Sequence, residues 1–543
     1  MLQNRIKSIK ENLNYTNIPE VVSELLQAET RLDELISQEL EGVITRSKAK
    51  WVEKGERCTK YFFGLERSNA KKKMITKLVD EESGECMLTQ DKIADYAVKY
   101  YQKIYSSTHP NKEKISDYIS QSEIDSIPDS LSSTLDEQVT LEEMETVIKS
   151  LKNNKSPGWD GLTAEFYRFF WDDIKFILYN SYQESINSNC LSPSQQIGVL
   201  TLLPKPKPPP ELVYIRNWRP ITLLNIDYKI FAHIVKNRFI QAIPHVVSKV
   251  QSGFQAGKSS SDNLILMCLV LDHYNTQTEE GGLVLQVDFE KAFDSVEHSF
   301  LFKTLETMGF GQYLIKLVKI AFHGCLGYIN VNGYLSKPVY LGRGLHQGSP
   351  LSPILFLLIA QIFTRKLELS NCINGMKVNG IDILLSLFAD DADLFLEATG
   401  ESVDKVVKEM LNFGILSGCK ANMDKTKCIL LGKAKEDATL IGHIINKYGA
   451  DFLINDFTAL GVQLNNYSCL QDMSNFNYSE KFKKAKTRAN FWISRDLTIY
   501  GRTTIIKTLL LSQFVYIATP LPRPEGQIIQ EITTFIFKFV WGE

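Results

Sequence analysis

Apolar and polar positions follow two different periods along this chain. Over residues 1–45, Val21, Leu25, Leu26, Leu32 and Leu35 recur at helical steps among polar neighbours, which predicts amphipathic helix. Residues 106–135 are rich in Ser, Asp and Pro, which predicts a linker. From 136 to about 450, apolar helical segments mix with short runs of strand length, the pattern of one compact block. Leu283 to Val287 is such a run, and it ends on Asp288. Two more flank Ala389-Asp390-Asp391-Ala392 within Ile383 to Glu397, which predicts a hairpin with two adjacent carboxylates at its tip. The proline-dense stretch Pro204 to Pro210 predicts a stiff, extended loop.

The longest unbroken apolar run, Ile354 to Ala360, is far short of the roughly 20 residues of a membrane helix. The first residues, Met1 to Tyr15, hold no apolar core for a signal peptide, so a nuclear or cytoplasmic setting without membrane contact is expected. No repeat of 20 to 50 residues is visible. The 543 residues suggest about three to four domains or one large multi-lobed enzyme. Nine cysteines without a C-x-x-C pair argue against a disulfide framework or a structural zinc site.

Charge changes the picture locally. Lys and Arg number 61 and Asp and Glu 63, so a uniformly basic coat is excluded. Residues 46–77 nevertheless carry eleven basic residues against three acidic ones, interleaved with Trp51, Tyr61, Phe62 and Phe63. Residues 481–507 carry eight basic residues against one acid. Basic residues among aromatics suit a phosphate backbone with base stacking, and equally a solvated helix face over core aromatics.

The carboxylates suggest chemistry. Asp288 stands at a strand end, where it can project into a cleft. Asp294-Ser-Val-Glu297 reads as a capping box that opens a helix, which explains Asp294 structurally. Adjacent Asp390 and Asp391 repel each other, and a cation is a natural reason to tolerate them, although a solvated Asp-rich turn is common. Two Mg²⁺ ions, each taking few protein carboxylates, would support in-line phosphoryl transfer.

In this order the motifs resemble the LINE-type, non-LTR retrotransposon reverse transcriptases. The first is Asp288-Phe-Glu-Lys-Ala-Phe-Asp294 and the third is Phe388-Ala-Asp-Asp391. The resemblance implies Asp288, Asp390, Asp391 and the Phe289 carbonyl as ligands of two Mg²⁺ ions, with Mn²⁺ able to substitute. It implies Phe293 as a steric gate favouring dNTPs. Gly344-Leu-His-Gln-Gly-Ser-Pro-Leu-Ser-Pro353 resembles the second motif, with Gln347 and Gly348 at the nucleotide and His346 where Arg is usual. Lys155-Ser-Pro-Gly-Trp-Asp-Gly161 resembles an extra fingers motif. Leu203-Pro-Lys205 with Asn217-Trp-Arg-Pro-Ile221 resembles the fingers hairpin, with Lys205 and Arg219 at the triphosphate. Gln251 to Lys258 resembles the next motif, with Lys258 in place of Arg. Ser417 to Lys427 supplies Lys425 as general acid for the leaving pyrophosphate, with Lys427 the alternative. Ala459-Leu-Gly461 resembles the primer grip, with Ala459 where Tyr is usual.

The implied architecture is α+β: a right-hand polymerase with fingers, an antiparallel-sheet palm and a helical thumb. Residues 1–135 are expected to form a helical extension with the basic segment 46–77 and the linker. Residues 136–465 would be fingers and palm, and 466–543 a basic thumb, incomplete at its end. Lys155, Lys258, Lys71, Lys72, Lys73, Lys483, Lys484 and Arg488 are expected at nucleic acid. The implied function is RNA-directed DNA polymerase, a nucleotidyltransferase with an RNA template (retrotransposon RNA), a DNA primer and dNTPs. No endonuclease or Cys/His cluster is present, so a fragment or truncated copy is expected. Three readings compete: a catalytically inactive nucleic-acid-binding remnant, an RNA-dependent RNA polymerase, and a helical scaffold, which leaves the carboxylates unexplained.

Overall fold

A computed structural model describes residues 74–206, 209–277, 280–493 and 497–542. The helices expected over 1–45, most of the basic segment 46–77, and Lys71, Lys72 and Lys73 lie outside the described residues.

Two four-stranded sheets interleave along the chain. A short hairpin, β1 (Leu78–Val79) and β2 (Cys86–Met87), comes first. β3 (Ile197–Pro204) and β4 (Trp218–Leu224) pair antiparallel, and β5 (Gly281–Asp288) begins the other sheet. β6 (Leu326–Val331) and β7 (Tyr334–Tyr340) return to the first, which has the order β4-β3-β6-β7. After a small hairpin, β8 (Met376–Val378) and β9 (Ile381–Ile383), come β10 (Leu385–Phe388), β11 (Asp391–Glu397) and β12 (Lys427–Gly432). These build an antiparallel sheet of order β10-β11-β5-β12, with β5 in its interior. A further hairpin, β13 (Asp456–Ala459) and β14 (Val462–Asn465), follows.

The apolar run of β5, interrupted only by Gln286, reflects burial on both faces. Leu283, Leu285 and Val287 enter one core with the helices Ile226–Val246, His298–Thr307 and Ser352–Glu368. Val284 enters a second core with Leu264, Leu271, Phe395 and Ile429, which extends into the C-terminal helices. Residues 470–541 are mainly helical, and in Leu470–Ile493 the apolar Phe482, Ala485 and Ala489 turn inward. Among the described residues no helix is long and apolar enough to cross a membrane. The described cysteines are free thiols.

Three expectations need correction. Residues 106–135 are not a linker: they form the helices Lys112–Ser120 and Asp129–Leu135, and bury Ile115, Tyr118, Ile119, Ile127 and Leu135. The i, i+3, i+4 spacing of Ile115, Tyr118 and Ile119 is a helical stripe hidden by polar composition. The proline stretch ends in a 3₁₀ turn, Pro209–Val213, which Pro tolerates because its φ already lies near −65°. Asp294 caps no helix: the helix begins at His298 with Glu297 as its N-cap. A true capping box stands at Thr140 and Glu143.

Glu143 is also half of an ion pair whose arginine is deeply buried. Arg238, 5% exposed, meets its carboxylate at 2.8 Å and donates to the carbonyls of Leu135, Glu137 and Gln138. Arg238→Leu would strand these acceptors. It should cost about 3–5 kcal/mol, read as a lowered urea midpoint. A midpoint unchanged by the substitution would contradict this account.

Candidate polymerase active site

Asp288 is the last residue of β5 and Asp391 the first of β11, and the two stand directly opposite in the antiparallel ladder. Asp390 lies in the two-residue turn from Phe388, and Ala389 before it has φ 60°. That left-handed turn is braced from outside. Gln251, 1% exposed, accepts from the Ala389 amide at 3.0 Å and donates to its carbonyl at 3.4 Å. Gly253 lies so close that a Cβ there would come within 2.3 Å of the Ala389 nitrogen. The segment 251–258 therefore supports the carboxylate turn, through the Gln251 side chain and the close backbone of Gly253, a role its residue types did not announce. Lys258 belongs to the same brace, its ammonium donating to the Lys249 and Gln251 carbonyls at 3.0 and 2.7 Å.

A cleft of about 750 Å³ opens beside these carboxylates. It brings together nine of the expected site residues: Lys205, Arg219, Asp288, Phe289, Phe293, Gln347, Gly348, Asp390 and Lys425. Lys425 donates to Asp288 at 2.9 Å, with both side chains partly exposed. The Lys205 ammonium is held below its usual pKa by partial burial, then by the neighbouring charges of Lys425, Arg219 and Lys291. The cleft thus gathers cationic side chains beside the carboxylates. Phe293 stacks on Phe356 at 4.7 Å and borders the cleft. The backbone at Phe289 pairs with Ala421 through the Asp288 carbonyl and the Glu290 amide, which leaves the Phe289 carbonyl outside that ladder.

Two expected nucleotide contacts are already engaged. Gln347 donates its amide to Asp294 at 2.7 Å. Gly348, with φ 123°, is required by a close approach to Thr222, whose carbonyl would sit 2.3 Å from a Cβ. Neither could be foreseen without the fold. His346 is buried beside Phe322 and Tyr228, and both ring nitrogens lack partners. Burial, then nearby His298, pulls its pKa down to about 3, so the ring is neutral. Lys155 is exposed on a loop apart from the cleft, and Lys483, Lys484 and Arg488 are exposed on Leu470–Ile493. The Ala459-Leu-Gly461 turn is a tight hairpin with positive φ at Leu460 and Gly461, and Ala459 is buried.

The acidic wall carries excess negative charge. Desolvation in the cleft, then Asp390 and Asp288, push the Asp391 carboxyl up to about 6, although its side chain still meets solvent. Asp390 is raised by burial and then by Asp288. Among the described residues no three acidic, thiol or imidazole groups already form a metal cage. Mg²⁺ does not need one, since it commonly takes one or two carboxylates and completes its shell with water and substrate phosphates. Two adjacent acids with raised pKa values beside a third fit such an ion.

Residues 203–464 match the family described as reverse transcriptase (RNA-dependent DNA polymerase). The match covers 262 of the 543 residues. Over 99% of its length the chain is 27% identical to the transposon TX1 149 kDa protein of Xenopus laevis, of which it spans 40%. Over 53% of its length it is 28% identical to the Pol polyprotein of the type-2 retrotransposable element R2DM of Drosophila melanogaster, spanning 26% of that protein. Over 48% it is 24% identical to the RNA-directed DNA polymerase from the mobile element jockey of Drosophila funebris, spanning 28%. The matched residues run from the end of β3 into β14 and so include both sheets except most of β3.

Asp391→Asn tests the charge excess on the acidic wall. A group with a raised folded-state pKa adds stability below its unfolded value and loses it as pH rises through the folded one. Without divalent metal, D391N should therefore gain stability on the parent between about pH 4 and pH 7, in urea titrations. A difference that stays flat over that window would refute the shift.

Proposed function

We propose that this chain is an RNA-directed DNA polymerase of a non-LTR retrotransposable element, adding dNTPs to a primer 3′-hydroxyl on an RNA template. The observation that carries the reading is Asp288 opposite Asp391, with Asp390 beside them, on a cleft that also holds Lys205 and Arg219. In this reading the antiparallel sheet is the palm, the β4-β3-β6-β7 sheet belongs to the fingers, and residues 466–543 are the thumb. The exposed Lys483, Lys484 and Arg488, with Lys155, would follow the nucleic-acid backbone, so binding should weaken with salt. Such a polymerase would work in the nucleus or cytoplasm.

Asp288, Asp390, Asp391 and the Phe289 carbonyl would hold two Mg²⁺ ions. When bound, these supply Lewis-acid activation of the primer hydroxyl and charge neutralisation on the leaving group. The protein's own cations do the rest. Lys205 and Arg219 orient the triphosphate beside the carboxylates. Lys425 starts paired to Asp288, and release from that carboxylate would free its ammonium to give a proton to the departing pyrophosphate. Phe293 would press beneath the sugar and disfavour a 2′-hydroxyl.

The inactive-remnant reading rests on the expected truncation together with the departures at His346, Lys258 and Ala459. Ala459 is buried, Lys258 braces loop carbonyls, and His346 borders the cleft as a buried neutral ring, so the three residues give no reason to expect lost chemistry.

Purified protein should extend a primer on an RNA template with Mg²⁺ and dNTPs, and Asp390→Ala should lower the rate by at least about 10³-fold. Equal extension by both proteins would refute the metal assignment, and none by the parent would refute the polymerase. Phe293→Val should raise ribonucleotide use relative to dNTP by about tenfold or more. An unchanged ratio would remove Phe293 as the gate.

A further inference from the structure

The buried carboxylate behind the gate is tied to a helix outside the matched residues. Asp294, 3% exposed, accepts from the Tyr105 hydroxyl at 2.8 Å through one oxygen and from the Gln347 amide at 2.7 Å through the other. Tyr105 ends the helix Gln90–Tyr105, about a hundred residues before the matched domain begins. The strap after it is anchored independently. Glu297, 1% exposed, accepts from the Ser107 hydroxyl at 2.6 Å, and from the Thr108 amide and hydroxyl at 2.9 Å each. Arg343 joins both sides, donating to Glu297 at 3.1 Å and to the Ile104 carbonyl at 2.6 Å, with its amide on the Tyr105 carbonyl.

This chain of bonds has a chemical consequence at the cleft. Gln347 turns one amide N–H toward the Asp294 carboxyl oxygen. Its carbonyl oxygen and second N–H are then the groups left to meet a nucleotide. Asp294 also follows Phe293 directly, and the Phe293 carbonyl accepts from the Leu345 amide at 2.7 Å, two residues before Gln347. Gly344 closes the same seam, since a Cβ there would lie 2.5 Å from the Asp294 carbonyl oxygen. Phe293 and Gln347 are therefore held as one unit, with Asp294 behind it and Tyr105 behind Asp294.

We infer that Tyr105 is a positioning residue for nucleotide selection, acting through Asp294 on Gln347. The N-terminal strap thereby forms part of the nucleotide pocket. The inference rests on the polymerase reading and adds to it a residue outside the domain. Removing the Tyr105 hydroxyl leaves one Asp294 oxygen without its partner in a buried site, and Asp294 can recover a partner only by moving, taking Gln347 with it.

Tyr105→Phe keeps the ring, which stacks on Tyr101 at 6.2 Å, so the fold should survive. On an RNA template, Tyr105→Phe should raise the dNTP KM by about three- to tenfold, with kcat changed less than about twofold. In a Gln347→Ala background the same substitution should add nothing, because the residue it acts through is gone. An unchanged KM, even with a lowered urea midpoint, would reduce Tyr105 to a structural role and overturn the inference. Additive effects in the double variant would do so too. A parent without any extension would instead sink the polymerase reading. The inference then stands or falls on calorimetry of dTTP with Mn²⁺ and template–primer, where weaker binding by Tyr105→Phe supports it. Equal binding, or none by the parent, overturns it.

Discussion

Everything at this site depends on the pairing of β5 with β11. The register sets Asp288 against Asp391 at one end and Gly282 against Glu397 at the other. Side chains alternate along a strand, so Val284, Gln286 and Asp288 share a face, while Leu283, Leu285 and Val287 share the opposite one. A slip of one residue would turn Asp288 toward the main core and carry Leu285 out of it. Burial of both faces excludes that slip. The hydrophobic core thus fixes the position of the carboxylates.

The second constraint is electrostatic. Asp390 and Asp391 are held close by a backbone turn that Gln251 braces on both polar groups, so they cannot separate to relieve their repulsion. Lys425 offsets part of the charge by pairing with Asp288. Lys205 in the same cleft is strained in the reverse sense, crowded by Lys425, Arg219 and Lys291. Cations would relieve the acidic wall and a polyphosphate the basic one. A nucleotide–metal complex brings both, so each wall is unsatisfied in the way that this ligand satisfies.

Much of this was legible in the residues. The strand run ending on Asp288 and the apolar runs flanking Asp390 are period signals that survive without tertiary context. Motif spacing then brought nine expected residues to one cleft. The failures share a cause: short stretches read from local pattern alone. The segment 106–135 hid a helical stripe beneath Ser and Asp. Asp294 had capping-box spacing but lies 3% exposed, where its partners Tyr105 and Gln347 are 189 and 53 residues away in sequence. No local pattern could reveal those bonds. Lys258 and Gly348 likewise have partners set by the fold, Lys258 on nearby loop carbonyls and Gly348 against Thr222, which no residue type shows.

The central claim is that the β5–β11 register builds a two-ion site. It is tested most directly by electron paramagnetic resonance of Mn²⁺ bound to the protein with template–primer and dNTP, beside Asp288→Asn. The account predicts two spin-coupled ions per chain in the parent, about 3.5–4 Å apart, and loss of the coupled signal in the variant. Two ions bound equally well by Asp288→Asn, or a single uncoupled ion in the parent, would contradict it.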